Sequence, residues 1–198
     1  MRNSRNSDET DNFSINAFGI SRTDLLKTAL SYAQPESIIE IGCNIGQNFP
    51  LLRALSPSLH ITGVEINFEA AHIARNKYPQ TDVVQAVGFD LPFSSASVDF
   101  IFTAGVLIHI HPDDLDLIIN EMWRVSGKYI FGMEYHSEGL EHVVYRGHEG
   151  LLWKQDFEEV FRNRCQNLRT VFSDIYEYSE TIFGRKGLYY KVYLMEKT

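Results

Sequence analysis

Three stretches of the chain concentrate residue types that do chemistry. The first is Glu40-Ile41-Gly42-Cys43-Asn44-Ile45-Gly46, an apolar run that breaks into glycines. Glycines between a strand and a helix let the backbone turn tightly and come close to a ligand. The second is Gly63-Val64-Glu65-Ile66-Asn67. An acid at the end of a second strand can accept hydrogen bonds from both hydroxyls of an adenosine ribose, and it would repel a 2′-phosphate. The third begins at His109-Ile110-His111 and continues in Glu134-Tyr135-His136 and Tyr145-Arg146-Gly147-His148. His109 and His148 have side chains that titrate near neutrality and suit general-base work. Glu134 can anchor a cationic acceptor or deprotonate a hydroxyl, and Arg146 can clamp a carboxylate or phosphate. Each has a structural alternative: His109 packed beside Pro112, Glu134 capping a neighbouring loop, Arg146 paired with a local acid. His109 and His111 with Glu134 and His136 also suggest a metal set. No further spacing is distinctive of one, so no metal is expected.

The elements that must position these residues alternate in type. Leu25, Leu26, Ala29, Leu30 and Ala33 recur at helical spacing and predict a helix over Ile20 to Ala33, ended by Pro35. Strands follow at Ser37 to Ile41, His60 to Glu65, Asp82 to Ala86, Val98 to Thr103 and Lys128 to Tyr135. Helices are expected over Gly46 to Leu55, with Pro50 in the first turn, and over Phe68 to Tyr78, with Asn67 as N-cap. Two more are expected over Pro112 to Val125 and Trp153 to Asn163. Two strand-like runs, Leu168 to Tyr178 and Leu188 to Glu196, close the chain. Alternation implies right-handed crossovers and a parallel sheet covered on both faces, and the last pair can form an antiparallel edge hairpin. The expected fold is α/β, a three-layer doubly wound sandwich with a seven-stranded, mostly parallel sheet. Ligands of such sheets bind beyond the carboxyl ends of the strands. A loop with Gly139, Gly147 and Gly150 can lid that site. Phe13, Phe18, Tyr176, Tyr178 and Tyr189 can wall the pocket or fill the core.

Composition narrows the class. The chain has 198 residues, 44% of them apolar and 22% charged, as in ordinary globular domains. Met1 to Asn12 has no large apolar residue after Met1 and reads as a disordered tail, leaving residues 13–198 as a single domain. Acids outnumber bases 26 to 18, for a formal charge of −8, which argues against nucleic acid as a partner. The longest nearly apolar run, Phe100 to Ile110, is too short to span a bilayer, and the two early arginines have no apolar segment behind them. Cys43 and Cys165 make no disulfide framework. A soluble, cytoplasmic protein acting alone or as a homodimer is expected.

Read from Glu40, the first loop is E-x-G-x-N-x-G. It resembles the E/D-x-G-x-G-x-G motif of the class I S-adenosylmethionine-dependent methyltransferases. Asn44 replaces the middle glycine, and Asn reaches left-handed backbone geometry readily. A dinucleotide fingerprint fails at Asn44 and Gln47, and no Tyr-x-x-x-Lys pair is evident, which sets aside a nicotinamide dehydrogenase. Val87-Gly88-Phe89-Asp90-Leu91-Pro92-Phe93, followed by Asp99, is similar to a later segment of the same family. Val87 stands where many members place an adenine-contacting acid. Asp90 is the nearest acid, and Asp99 is expected to order the turn into the fourth strand. The resemblance implies S-adenosylmethionine as cofactor and S-adenosylhomocysteine as product. It places Glu40, Gly42, Cys43, Asn44, Gly46, Asn48, Glu65 and Ile66 against the cofactor. Gly88, Phe89, Asp90, Thr103, Gly105 and Val106 join them.

The order GCNIG, GVLIHI-x-PDDL, EY, YRGH narrows the likeness to the small pseudaminic acid biosynthesis-associated methylases. Methyl transfer is an in-line displacement in which the protein mainly orients the partners and excludes water. His109, Glu134 and His148 are the candidate catalytic groups; Tyr135, His136, Tyr145 and Arg146 are the candidate acceptor contacts. No Asn/Asp-Pro-Pro-aromatic tetrapeptide follows the fourth strand, where the chain reads Thr103-Ala104-Gly105-Val106. The expected acceptor atom is therefore an oxygen or amine nitrogen of a small polar metabolite, such as a sugar, amino-acid or natural-product intermediate. The alternative is a noncatalytic S-adenosylmethionine-binding sensor or partner subunit.

Overall fold

The computed structural model describes residues 21–145, 148–178 and 188–198. The tail from Met1 to Asn12, together with Phe13, Phe18 and Arg146, lies outside the described residues. Helix α1 (Arg22–Ala33) starts in a reciprocal capping box. The Ser21 hydroxyl accepts the Asp24 amide at 3.1 Å, and the Asp24 carboxylate accepts the Ser21 amide at 3.2 Å. Strand β1 (Ser37–Ile41), α2 (Phe49–Leu55), β2 (His60–Glu65), α3 (Phe68–Lys77) and β3 (Asp82–Gln85) follow. Strand β4 (Val98–Ala104) leads through two short 3-10 turns, Leu107–His109 and Pro112–Asp114, into α4 (Leu115–Val125). Then come β5 (Ser126–His136), β6 (Glu141–Tyr145), β7 (His148–Lys154), α5 (Phe157–Arg164), β8 (Leu168–Tyr178) and β9 (Leu188–Lys197).

Seven strands form one sheet in the order β3-β2-β1-β4-β5-β9-β8. Strands β1 to β5 are parallel, while β9 runs antiparallel to both β5 and β8. The chain order reverses between β1 and β4, the switch point at which doubly wound sheets bind ligands. At the other end of that pair, the Asp99 carboxylate accepts the Glu36 and Ser37 amides at 3.0 and 2.9 Å. One core lies under α1, α2 and α3, with Leu26, Ala29, Phe49, Leu52, Ala71 and Ala74 against Ile38, Phe100 and Phe131. The other lies under α4 and α5. Leu115, Ile118, Ile119, Met122 and Val125 of α4 recur at helical spacing and bury against Ile39, Ile101 and Ile130. Among the described residues no helix is long and apolar enough to cross a membrane.

Three helix starts differ from the sequence expectation by three residues or more. Helix α2 begins at Phe49 rather than Gly46, because Gly46 has φ +79° and a left-handed residue cannot lie inside a right-handed helix. Pro112 to Asp114 form a 3-10 turn, and α4 begins only at Leu115. Trp153 and Lys154 belong to β7, not to a helix. Helix α5 begins where Asp156 caps it, accepting the Glu159 amide at 3.1 Å. The glycine-containing segment expected as a loop instead pairs β6 with β7 in an antiparallel two-stranded sheet.

Gly132 leaves room on β5 for the ring of Tyr193, its register partner on β9. A Cβ there would lie 2.2 Å from Cζ of the fully buried Tyr193 ring. Gly132→Ala is expected to destabilise the fold by about 1–3 kcal/mol through overpacking. Urea unfolding checks this as a lower midpoint with an unchanged slope.

Candidate functional site

A pocket of about 780 Å³ opens at the carboxyl ends of β1, β2, β4 and β5, beside the start of β9. The loop after β1 forms its floor. Gly42, Asn44 and Gly46 all have positive φ, at +71°, +51° and +79°, so Asn44 adopts the left-handed geometry its type favours. The Gly42 and Cys43 amides donate to the Val64 carbonyl at 2.8 and 3.0 Å. A Cβ on Gly42 would meet a Val106 methyl at 2.5 Å, so the loops after β1 and β4 touch at a point only glycine allows.

Two carboxylates line this pocket. Glu65 is buried at the end of β2; one oxygen accepts the Asn44 amide and the other the Asn67 amide, both at 2.8 Å. Each oxygen retains a further lone pair for a ligand hydroxyl. The neighbouring Ile66 is 66% exposed and gives the pocket an apolar wall. Glu40, near the end of β1, is buried; the Asn48 side-chain amide donates to one oxygen at 2.5 Å, and the other oxygen has no partner. Burial pushes Glu40 up to about 7, against the opposing pull of Asn48 and Arg22. Cys43 is held as a neutral thiol, its pKa raised first by burial and then by Glu40 and Glu65.

The other side of the pocket carries Tyr135, Tyr190, His109 and Ile110. The two tyrosine rings lie 4.2 Å apart between centroids. Burial raises Tyr190 well above the ordinary phenol range, so it stays protonated. His109 ends the first 3-10 turn and lies at the exposed rim, where partial desolvation holds its imidazole below the ordinary value.

The structure thus brings Glu40, Gly42, Cys43, Asn44, Asn48, Glu65, Ile66, Gly105, Val106, His109 and Tyr135 to one pocket. Several expected residues do not line it. Glu134 and His136 flank Tyr135 on β5, and strand alternation turns both to the opposite face of the sheet. Glu134 caps the loop after β4, accepting the Val106 amide at 3.1 Å. His136 is buried on the side of Asp156 and Lys191; burial is the first cause of its lowered pKa. Thr103 is fully buried and pairs in register with Gly132 on that same face. Gly88 packs against Ile118 of α4, and Phe89 and Asp90 are exposed outside the pocket lining. The Leu91-Pro92-Phe93 segment is held by α4, with Arg124 donating to the Leu91 and Phe93 carbonyls. Gly46 shapes the turn above Phe49 without lining the pocket. Tyr145 and His148 fall in β6 and β7, and their side chains lie outside what the structure describes. Among the described residues no cluster of His, Cys, Asp and Glu could hold a metal ion.

Sequence reasoning missed Arg22, Gln47, Ala104, Ile110 and Tyr190 as lining residues. Tyr189 was one of five aromatics expected to wall the pocket or fill the core, but it pairs with His136, while Tyr190 pairs with Tyr135. A one-residue register difference decides which tyrosine faces the pocket. Arg22 lies on a helix that precedes the first motif, and no pattern in the sequence marks it.

Comparison with known proteins agrees with this geometry. A family model described as a methyltransferase domain matches residues 39–131, just under half of the chain. An O-methyltransferase of Aspergillus nomiae is 28% identical over 102 residues, covering 48% of this chain and 44% of that protein. The chain thus aligns with less than half the length of that curated relative. Among solved structures, a SAM-dependent methyltransferase from Methanosarcina mazei superposes with a TM-score of 0.67 at 18% identity, covering 81% of this chain and 92% of that one. The 1,6-didemethyltoxoflavin-N1-methyltransferase of Burkholderia thailandensis, solved with its substrate and S-adenosylhomocysteine, gives 0.66 at 17% identity over 89% and 80% of the two chains. The fold is therefore the Rossmann-like fold seen in those two methyltransferases, and residues 39–131 match the methyltransferase-domain model.

Burial raises Glu134 to about 7, against the Thr103 hydroxyl and the Val106, Leu107 and Ile108 amides. The folded chain keeps a proton there that the unfolded chain releases near 4.5, so this group lowers stability as pH rises toward 7. Glu134→Gln lacks that loss. Urea titrations from about pH 5 to 8 are expected to show E134Q gaining stability relative to wild type through this window and levelling off above it.

Proposed function

We propose that the chain is an S-adenosylmethionine-dependent methyltransferase that modifies an oxygen or amine nitrogen of a small polar metabolite. The observation that carries this reading is the convergence of the glycine-containing loop, Glu40 and Glu65 on one pocket at the switch point. Its volume suits a cofactor with part of a small acceptor. The residues present fit the donor: Glu40 has a buried oxygen without a partner for an ammonium, and Glu65 has lone pairs for ribose hydroxyls. Ile66 offers an apolar face for adenine. When bound, S-adenosylmethionine supplies a methyl carbon on a positively charged sulfur, already activated for displacement.

The protein's own part is then positioning and proton transfer. The loops after β1 and β4 hold the donor side, and Tyr135 and Tyr190 wall the acceptor side. Tyr190, kept protonated by burial, donates a hydrogen bond and does not act as base. His109 is the group suited to take a proton from a hydroxyl or ammonium acceptor. Its lowered pKa keeps the imidazole neutral at pH 7. A sugar, amino-acid or natural-product intermediate fits the charge of −8 and the small pocket better than a polyanion. The narrower kinship to the pseudaminic acid biosynthesis-associated methylases rests on motif order alone.

Calorimetric titration tests the donor. Micromolar binding of S-adenosylmethionine and S-adenosylhomocysteine is expected, with none of NAD. Glu65→Ala is expected to weaken both sulfur ligands by about 10- to 100-fold, the loss of charge-assisted hydrogen bonds. Unchanged affinity in that variant would sink the ribose assignment. With an acceptor found by screening amines, sugars and small acids, His109→Gln is expected to lower kcat by about 10²–10⁴. The wild-type rate is expected to rise with pH with a midpoint below the ordinary imidazole value, and the variant to lose that rise.

A further inference from the structure

We infer that Glu134 is a positioning residue for His109: its carboxyl gathers the backbone of the loop after β4 and so fixes where the imidazole meets the pocket, an assignment that rests on His109 being the base proposed above. Glu134 is buried and does not line the pocket, so it acts through the loop.

The loop is tied to β5 where it begins. The Gly105 amide donates to the Met133 carbonyl at 2.9 Å, and the Val106 amide donates to Glu134 Oε1 at 3.1 Å. The Leu107 and Ile108 amides and the Thr103 hydroxyl face the same carboxyl. Three successive amides thus converge on one buried acceptor, as in the backbone nests that hold anions. The turn then closes on itself. The His109 amide donates to the Val106 carbonyl at 2.9 Å, and the Ile110 amide to the Leu107 carbonyl at 3.1 Å. Val106, His109 and Ile110 line the pocket, while Leu107 and Ile108 point into the protein.

The role is geometric. His109 titrates below the ordinary imidazole value because of burial, and burial raises Glu134 to about 7, so Glu134 is largely uncharged while His109 titrates. The other ionisable groups around Glu134 are occupied or neutral. Lys191, its register partner on β9, is held by Asp156 and Glu158 at 2.6 and 2.8 Å, and the phenols of Tyr190 and Tyr193 are kept protonated by burial. A neutral acceptor of the same length therefore serves as well as the carboxyl, and a shorter side chain does not. Without an acceptor, the loop amides must turn toward water, since leaving them buried and unpaired is unfavourable. His109 moves with them, and a better hydrated imidazole is easier to protonate.

Nuclear magnetic resonance of the imidazole rings in the full chain tests this, with the His109 signal assigned through its loss in His109→Gln. Glu134→Ala and Glu134→Asp are expected to move the His109 midpoint up toward the ordinary imidazole value. Glu134→Gln is expected to keep the wild-type midpoint, because its amide oxygen still accepts the loop amides. The other histidines are expected to keep theirs. S-adenosylhomocysteine affinity is expected to change by less than about threefold in these variants, since the Glu65 contacts lie outside the altered loop. With an acceptor identified, Glu134→Ala is expected to lower kcat by about 10- to 100-fold at unchanged donor KM, the effect of a misplaced base. An unmoved His109 midpoint in Glu134→Ala overturns the assignment, since Leu107 and Ile108 would then hold the turn unaided. A shift in Glu134→Gln as large as in Glu134→Ala overturns it as well. So does a joint shift of all histidines with lost S-adenosylhomocysteine binding, the mark of a loosened fold. If Glu134→Ala does not fold, Asp and Gln decide: a shift in Asp alone supports the assignment, and equal midpoints overturn it. Wild-type turnover by His109→Gln overturns the base reading on which the assignment rests, whatever the titrations show.

Discussion

Glu65 accepts two backbone amides, one from the loop after β1 and one from the loop after β2. These two hydrogen bonds to a single buried carboxylate tie both loops to the end of β2. The Asn44 amide can reach it only because Asn44 takes a left-handed turn. The Gly42 and Cys43 amides meanwhile close onto the Val64 carbonyl, one residue before Glu65. The floor of the pocket is thus a backbone structure anchored by the strand beside it. A ligand hydroxyl that meets Glu65 meets a carboxylate already oriented by its neighbours, so little ordering remains for binding.

The second organising feature is the pair β5 and β9. Gly132 leaves room for the Tyr193 ring across from it, in the register that pairs the two strands. That register places Tyr135 beside Tyr190 at the pocket and leaves Glu134 opposite Lys191 on the other face. Lys191 is in turn held by Asp156 and Glu158 of the α5 region at 2.6 and 2.8 Å. The same strand therefore serves two purposes. One face presents aromatic side chains to a ligand, and the other carries a buried carboxylate that supports the loop bearing Val106 and His109.

Burial of carboxylates near 7 gives this chain an unusual electrostatic setting. Glu40 and Glu134 are both raised by desolvation, one beside the pocket and one beneath it. A cationic ligand group near Glu40 would favour its ionised form, which couples binding to proton release below neutrality. Glu134 has backbone amides as its partners instead, so its charge bears on the loop after β4 and not on a ligand.

The sequence alone determined the order of the main elements, the parallel sheet with its edge hairpin, and the meeting of the glycine-containing loop with the end of β2. These were legible because they depend on local signals: apolar runs of strand length, glycines and Asn44 in a strand-to-helix turn, and an acid at the end of β2. The β6–β7 pair was not legible, because alternating and helical patterns are ambiguous over the short apolar run Leu151 to Trp153. The side of the pocket that carries Tyr135 and Tyr190 was decided by tertiary structure alone. Which of Glu134, Tyr135 and His136 faces a ligand depends on the pleat of β5, and the choice between Tyr189 and Tyr190 depends on its register with β9. Arg22 joins Asn48 only because α1 packs beside α2, a contact between residues 26 apart that no local pattern encodes.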